Sequence, residues 1–272
     1  MFFLHGCPDT RRAAFAGEAA ARRLGVRLIA VNRPGYGSSD AYDVPALDEL
    51  GHRFAADDLV AVADAFGVGE FGLLGMSVGG PYALACAARH PERVRAVAVV
   101  AAPGMAPVMD PPCHRDDLSP EQRDFFATLA GGSVAANMAL MRPDFEQYVA
   151  RLRPTDDDDE ALAKRFLEGL PPRDARLLAE LPPKAIAESA REALANTDGY
   201  LWDAAITFRH WDFRPEDVAR PVALWYGEYD ANAPPRNGRW FADHLADATL
   251  VVRPTAHLGT LLEHWEEVLA AT

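Results

Sequence analysis

The sequence predicts an α/β protein: a mostly parallel, doubly wound sheet interrupted by an inserted helical segment. Three observations carry this. Short apolar runs alternate with helical segments over residues 1–101, and the alternation resumes at about residue 222 and continues to the last helix. Between them, residues 103–213 hold proline-punctuated helical segments and no convincing strand. Strands that alternate with helices form parallel sheets joined by right-handed crossovers, because each helix must bury its apolar face on the sheet.

In order, residues 1–4 (MFFL) read as a strand that breaks at His5-Gly6, and residues 11–24, rich in alanine and arginine, as a helix. Residues 27–31 (RLIAV) are the next strand, ending in the loop NRPGYGSSD, and residues 51–66 the next helix. FGLLGM, residues 71–76, follows Gly67 and Gly69 and has the continuous apolar character of a strand buried on both faces. Residues 81–90 form its helix, with Pro81 tolerated in the first turn and Pro91 just past the end. Residues 94–101 are a further buried strand. In the insertion the clearest helical segments are 120–130, 142–152 and 174–194; beyond it come strand 222–226, helix 235–245, strand 249–252 and helix 258–270. The division expected is a core of residues 1–103 and 214–272 with a helical cap of residues 104–213.

Composition limits the function. The chain has 272 residues, 49% of them apolar, and no apolar run long enough to span a bilayer. A net charge of −13 would repel nucleic acid and anionic membranes, so neither is expected as a partner. Cys7, Cys86 and Cys113 are too few and too scattered for a disulfide framework or a zinc site, and reduced thiols in a cytoplasmic protein are the simplest reading. MFFLHG lacks the features of a secretion signal. The run from Asp156 to Asp159 reads as a solvated loop or helix start rather than a metal site. No cofactor or metal is expected, and the partner expected is a small-molecule substrate.

The chemistry is carried by GMSVGG, residues 75–80. A serine hydroxyl needs a base to take its proton, and it must stand clear of its own backbone to reach a carbonyl carbon. A tight strand-to-helix turn exposes it, and glycines flank it because side chains there would strike the neighbouring strand or helix, giving G-x-S-x-G. Gly75-Met76-Ser77-Val78-Gly79 has both the form and the context. Phosphate binding is the competing use of such a turn, but there is no G-x-G-x-x-G, no following lysine and no acid placed for a ribose.

The base and its orienting acid should lie in later loops at the carboxyl ends of strands. Asp230 follows strand 222–226 and His257 follows strand 249–252. Glu228 is a rival acid, but stands nearer the strand end. His52, His90, His210, His244 and His264 sit on or beside helices, and His114 in the insertion, where packing or surface roles are the default. Two oxyanion donors are also required. The backbone N–H of Val78 is one, and that of Cys7, in the loop after the first strand, is the other, its thiol having no role.

With HGCP, NRPGYGSSD, GMSVGG, the GEYD loop and the AHLG loop in this order, the chain resembles the α/β-hydrolase superfamily. It is most similar there to the proline iminopeptidase and haloperoxidase-like serine hydrolases. The resemblance covers most of residues 1–104 and 221–272, and implies a cofactor-independent serine hydrolase whose triad is Ser77, Asp230 and His257. Ester cleavage is the expected reaction. An aminopeptidase is the nearest alternative and would need carboxylates such as Glu146, Glu168, Glu188 and Asp203 to converge on a substrate ammonium; a lyase or binding protein on the same scaffold is the third.

Met105, Met109, Phe125, Phe126, Met138, Met141, Tyr148, Phe166, Trp202, Phe208 and Trp211 should mostly form the interior of the cap, the remainder making an apolar acyl or aryl site. The chain departs from the resemblance twice. Asn32 replaces the aspartate common before RPG, which should alter a local loop hydrogen bond. The leading β-hairpin of such proteins is missing, so strand 27–31 should be a sheet edge, covered by a partner subunit in a homodimer, by another segment, or by strands upstream of Met1.

Overall fold

The computed structural model describes residues 1–42, 51–152 and 158–272. Six strands, β1 (Phe2–Leu4), β2 (Ile29–Ala30), β3 (Phe71–Met76), β4 (Val94–Val100), β5 (Val222–Gly227) and β6 (Ala248–Arg253), form one sheet. Their order is β2-β1-β3-β4-β5-β6, and every neighbouring pair is parallel. The α/β class read from the sequence is the one observed.

The apolar runs are continuous because both faces are covered. Leu73, Val97, Val99 and Leu224 point to one side and pack with Ala56, Leu59 and Ala63 of α2 (His52–Ala65), Leu84 of α3 (Gly79–Arg89) and Phe241 of α10 (Pro235–His244). Leu74, Ala98, Val100 and Trp225 point to the other, against Ala20 and Ala21 of α1 (Glu18–Leu24) and Trp265, Val268 and Leu269 of α12 (Trp265–Ala270). This period-two division is what a doubly wound sheet imposes.

Several boundaries differ from the sequence reading. Segment 11–24 opens with a 3-10 turn, Arg11–Gly17, before α1, and the last helix divides into α11 (Gly259–Leu262) and α12. Strand 27–31 contracts to the two residues of β2, which is the sheet edge; a short edge is one way of avoiding pairing with another chain.

Between β4 and β5 the described residues form α4 (Pro120–Gly131), α5 (Val134–Leu152), α6 (Asp159–Glu168), α7 (Pro172–Leu178), α8 (Pro183–Ala193) and α9 (Asp198–Thr207), with no strand. Segment 174–194 breaks into α7 and α8 at Pro182-Pro183, since a proline removes a helical donor and disfavours helical conformation in the residue before it. α9 is apolar nearly all round and is buried, as such a helix must be. Met105, Met109, Met141, Trp202 and Trp211 are buried, while Phe125 is exposed. Leu129, Met141, Phe145 and Leu201 join the same apolar cluster as Leu4, Leu73 and Tyr82, so insertion and sheet share one core.

Asp158 caps α6 by accepting from the Glu160 N–H at 3.0 Å, and Asp159 pairs with Arg191 at 2.6 Å. Asp156 and Asp157 lie outside the described residues. No described helix is long and apolar enough to cross a membrane.

Candidate active site

The chain leaves β1 toward β2 on one side, whereas it leaves β3 toward β4 on the other. The carboxyl ends of these adjacent strands therefore border a crevice at the point where the winding reverses, the usual ligand site of such sheets. The loops HGCP and GMSVGG both enter it. A Cβ placed on Gly6 would stand 3.4 Å from the Cβ of Ser77, so the loops are in contact.

Ser77 sits between β3 and α3 with φ +53°, a conformation that costs an ordinary side chain about 1–3 kcal/mol and persists only where its surroundings enforce it. Its N–H donates to the Val100 carbonyl at 2.8 Å and its carbonyl accepts from the Gly80 N–H at 2.9 Å. The flanking glycines are required by close approach. A Cβ on Gly75 would overlap the Gly79 carbonyl and lie 2.7 Å from the Gly80 Cα; one on Gly79 would overlap the Leu4 carbonyl.

Asp230 is buried in the loop after β5. Its Oδ1 accepts from the N–H groups of Asn232 (2.8 Å) and Ala233 (2.9 Å), and its Oδ2 accepts from His257 Nδ1–H at 2.7 Å. With Nδ1 donating, Nε2 is the acceptor nitrogen of the neutral ring. Burial would raise the Asp230 carboxyl, but the charge and hydrogen bond of His257, with the two amides, hold it below the usual carboxylate range. Burial likewise pulls His257 down, but the charge and hydrogen bond of Asp230 outweigh it, with help from Asp174, and the imidazole lies above its ordinary value.

The rivals are placed elsewhere. Glu228 is exposed. His90 bonds to Asp57 and His264 to Glu267, both at 2.7 Å, His244 Nδ1–H donates to the Trp240 carbonyl, and His52 and His114 are buried among aromatic rings.

Among the described residues, the amides of Cys7 and Val78 find no acceptor; both are free to donate to a ligand. Burial, with Asp203 nearby, pushes the Cys7 thiol well above its ordinary range, so the thiol is inert.

The HGCP loop is held by a buried network that sequence reasoning did not find. Arg33 donates through Nη1 to the His5 carbonyl and through Nη2 to the Gly6 carbonyl at 3.1 Å. Asp203 of α9 faces the guanidinium at 2.5 Å, and its oxygens also accept from the hydroxyls of Tyr36 and Tyr82, both at 2.6 Å. His5 accepts the Arg33 N–H at Nε2 (3.2 Å) and donates from Nδ1 to the Gly6 carbonyl (2.7 Å); burial, then the Arg33 charge, hold the ring neutral. Arg33 is buried, and a buried guanidinium requires an anion, but that burial is not written in the loop's composition. Nothing in the sequence pointed to Asp203 as that anion.

Asn32 does more than alter a local loop bond. Its Nδ2 donates to Glu192 of α8 at 2.8 Å and its Oδ1 accepts the Arg11 N–H at 2.8 Å, so it ties the loop to the insertion. An aspartate there would face the Glu192 carboxylate. The four insertion carboxylates weighed above each pair with a different cation: Glu188 with Arg12 (3.0 Å), Glu146 with Arg142 (3.7 Å), Glu168 with Lys164 (4.0 Å) and Asp203 with Arg33.

Comparison with known proteins agrees with this architecture. A family profile described as the alpha/beta hydrolase fold matches residues 1–263. The chain is similar to a pimeloyl-[acyl-carrier protein] methyl ester esterase of Chromobacterium violaceum, 31% identical over 98% of this chain and 88% of that protein. Among solved structures, an esterase from Exiguobacterium antarcticum matches with a TM-score of 0.66 at 20% identity, over 99% of this chain and 88% of that one. A bromoperoxidase from Bacillus anthracis matches with a TM-score of 0.67 at 18% identity over the same shares. At those identities the two structures speak for the fold alone. By its profile match and its C. violaceum relative, the chain belongs to the α/β-hydrolase family.

Proposed function

We propose that this chain, a carboxylic ester hydrolase, works through an acyl-enzyme formed on Ser77. The observation that carries the reading is the 2.7 Å hydrogen bond between Asp230 and His257, made by loops from adjacent strands at the sheet edge that also bears Ser77. His257 Nε2 takes the serine proton and later gives it to the leaving alcohol, while Asp230 fixes the tautomer and stabilises the imidazolium. The free amides of Cys7 and Val78 receive the oxyanion, and because their loop and helix are already fixed, little reorganisation accompanies the charge.

Residues 104–213 act as the cap that contributes the acyl side of the pocket. Tyr148 and Tyr200 support this. Burial raises both phenols, the Cys7 thiol acts on both in the same direction, and Tyr200 stacks on Phe145 with ring centroids 3.6 Å apart. Apolar aromatic walls near one oxyanion donor suit an acyl chain. The relative from C. violaceum is named for a methyl ester, and we take a small-alcohol ester of an apolar acid as the substrate class. An aminopeptidase needs free carboxylates for a substrate ammonium, and the four considered are already ion-paired.

The test is a panel of methyl and p-nitrophenyl esters of increasing acyl length beside aminoacyl arylamides, assayed on wild type and Ser77→Ala. Esters should be cleaved best and the variant should lose roughly 10,000-fold or more in turnover. Preference for arylamides, or an active Ser77→Ala, would overturn the reading.

A further inference from the structure

Asp174, in the first turn of α7, is fully buried. Its Oδ1 accepts hydrogen bonds from the backbone N–H groups of Leu258 and Gly259, both at 3.0 Å. These residues directly follow His257 and open α11, where the first amides of a helix have no partner within it. A side chain of the insertion thus fixes the backbone that carries the base.

The second oxygen of Asp174, Oδ2, is buried and has no partner among the described residues. No described cation pairs with this carboxylate. The adjacent Arg173 instead lies over the Tyr229 ring, 4.1 Å from its centroid. The acidic groups around the histidine loop are Asp230 from the loop after β5, Asp174 from α7 and Glu263, whose carboxylate borders Gly259 from the end of α11. Of the cations that flank the loop, Arg253 at the end of β6 pairs with Glu267, and Arg173 lies over Tyr229, whose N–H donates to the Thr255 carbonyl at 3.0 Å. Both Asp230 and Asp174 act on His257 in the direction that favours its proton, against the burial that disfavours it.

We propose that Asp174 is a positioning residue of the hydrolytic site: it clamps the histidine loop through two amides and sets a second, unneutralised negative charge beside the base. The base becomes a cation in each half of the reaction, and a nearby negative charge stabilises that cation. The insertion therefore shapes the reactivity of His257 as well as the acyl pocket. This inference rests on His257 being the base.

The experiment follows His257 itself by NMR titration of its imidazole in wild type, Asp174→Asn and Asp174→Ala, with His257→Gln to assign the signal, beside pH–rate profiles on the best ester. Asp174→Asn keeps an acceptor for the two amides and removes the charge. The His257 titration should move to lower pH by roughly 0.5–1 unit, and the acid limb of kcat/KM should move with it. Asp174→Ala should also lower kcat by roughly ten- to a hundredfold with KM little changed, because the loop loses its anchor. An unchanged titration in Asp174→Asn, or wild-type kcat in a folded Asp174→Ala, would overturn the proposal. Should Asp174→Ala not fold, the Asn variant decides alone. Should wild type cleave no ester, the hydrolytic reading fails, while the titration still decides whether Asp174 acts on His257.

Discussion

Around the loop after β1 the Arg33 guanidinium meets Asp203, the His5 and Gly6 carbonyls accept from it, two tyrosine hydroxyls complete the Asp203 carboxylate, and burial pushes the neighbouring Asp9 carboxyl up to about 6. Around the loop after β6 no such cation is present: Asp230 and Asp174 both act on one imidazole, and no described arginine or lysine pairs with either aspartate. The contrast suits the roles proposed for the two loops: the first would hold an amide for a charge arriving from the substrate, and the second would carry a base whose cation a negative field favours.

The largest effect should come from removing the charge that meets the imidazole directly. Asp230→Asn should leave the fold intact, by circular dichroism, and lower turnover by roughly 10,000-fold, as found for a comparable triad. Activity within a few-fold of wild type would end the proposed role of the acidic field.

On the other loop the effect should be on stability first. Asp203→Leu alone leaves Arg33 buried without its partner and should cost about 3–5 kcal/mol in denaturant unfolding. Adding Arg33→Met should recover much of that stability, because neither charge then remains, yet turnover should stay low, since the His5 and Gly6 carbonyls lose their donors. Recovery of both together would mean that the network serves folding alone.

The pH dependence separates the loops further. In the proposed mechanism His257 must be neutral to take the serine proton, so kcat/KM should fall as pH drops through the folded His257 value, which is raised above the ordinary value of about 6.5. The same shift has the opposite sign for stability: its contribution is complete below about 6.5 and is lost as pH rises through the folded value. His257→Gln should lack that component in thermal melts. An acid limb well below 6.5 would contradict the negative field.

The smallest effect should be at Cys7. Cys7→Ala keeps the amide and removes only a partly buried, inert thiol, and kcat/KM should stay within about threefold, in line with a modest change in packing. A much larger loss would assign the thiol a role.

These contrasts also explain what was legible in the sequence. The strands and the serine turn were, because continuous apolar runs and glycines at fixed spacing are local consequences of burial and close approach. Asp230 and His257 were, because loops at strand ends can be located by counting strands, and the hydrogen bond between them follows. Asp203 and Asp174 were not. Each is one acid in a helix, the first in YLWDAAIT and the second in PPRDARLL, and each finds its partner in a loop of the main body that no periodicity links to it. The division of the insertion into α6 to α9 was only partly legible, since its elements are short and set by packing against one another more than by local pattern.

The most direct test is covalent labelling of purified protein with a fluorophosphonate, followed by intact mass and peptide mapping. One adduct per chain on the peptide carrying Ser77, absent from Ser77→Ala and strongly slowed in His257→Gln, is the result expected of a serine activated by that histidine. No label on folded wild type, or label that persists in Ser77→Ala, would contradict it.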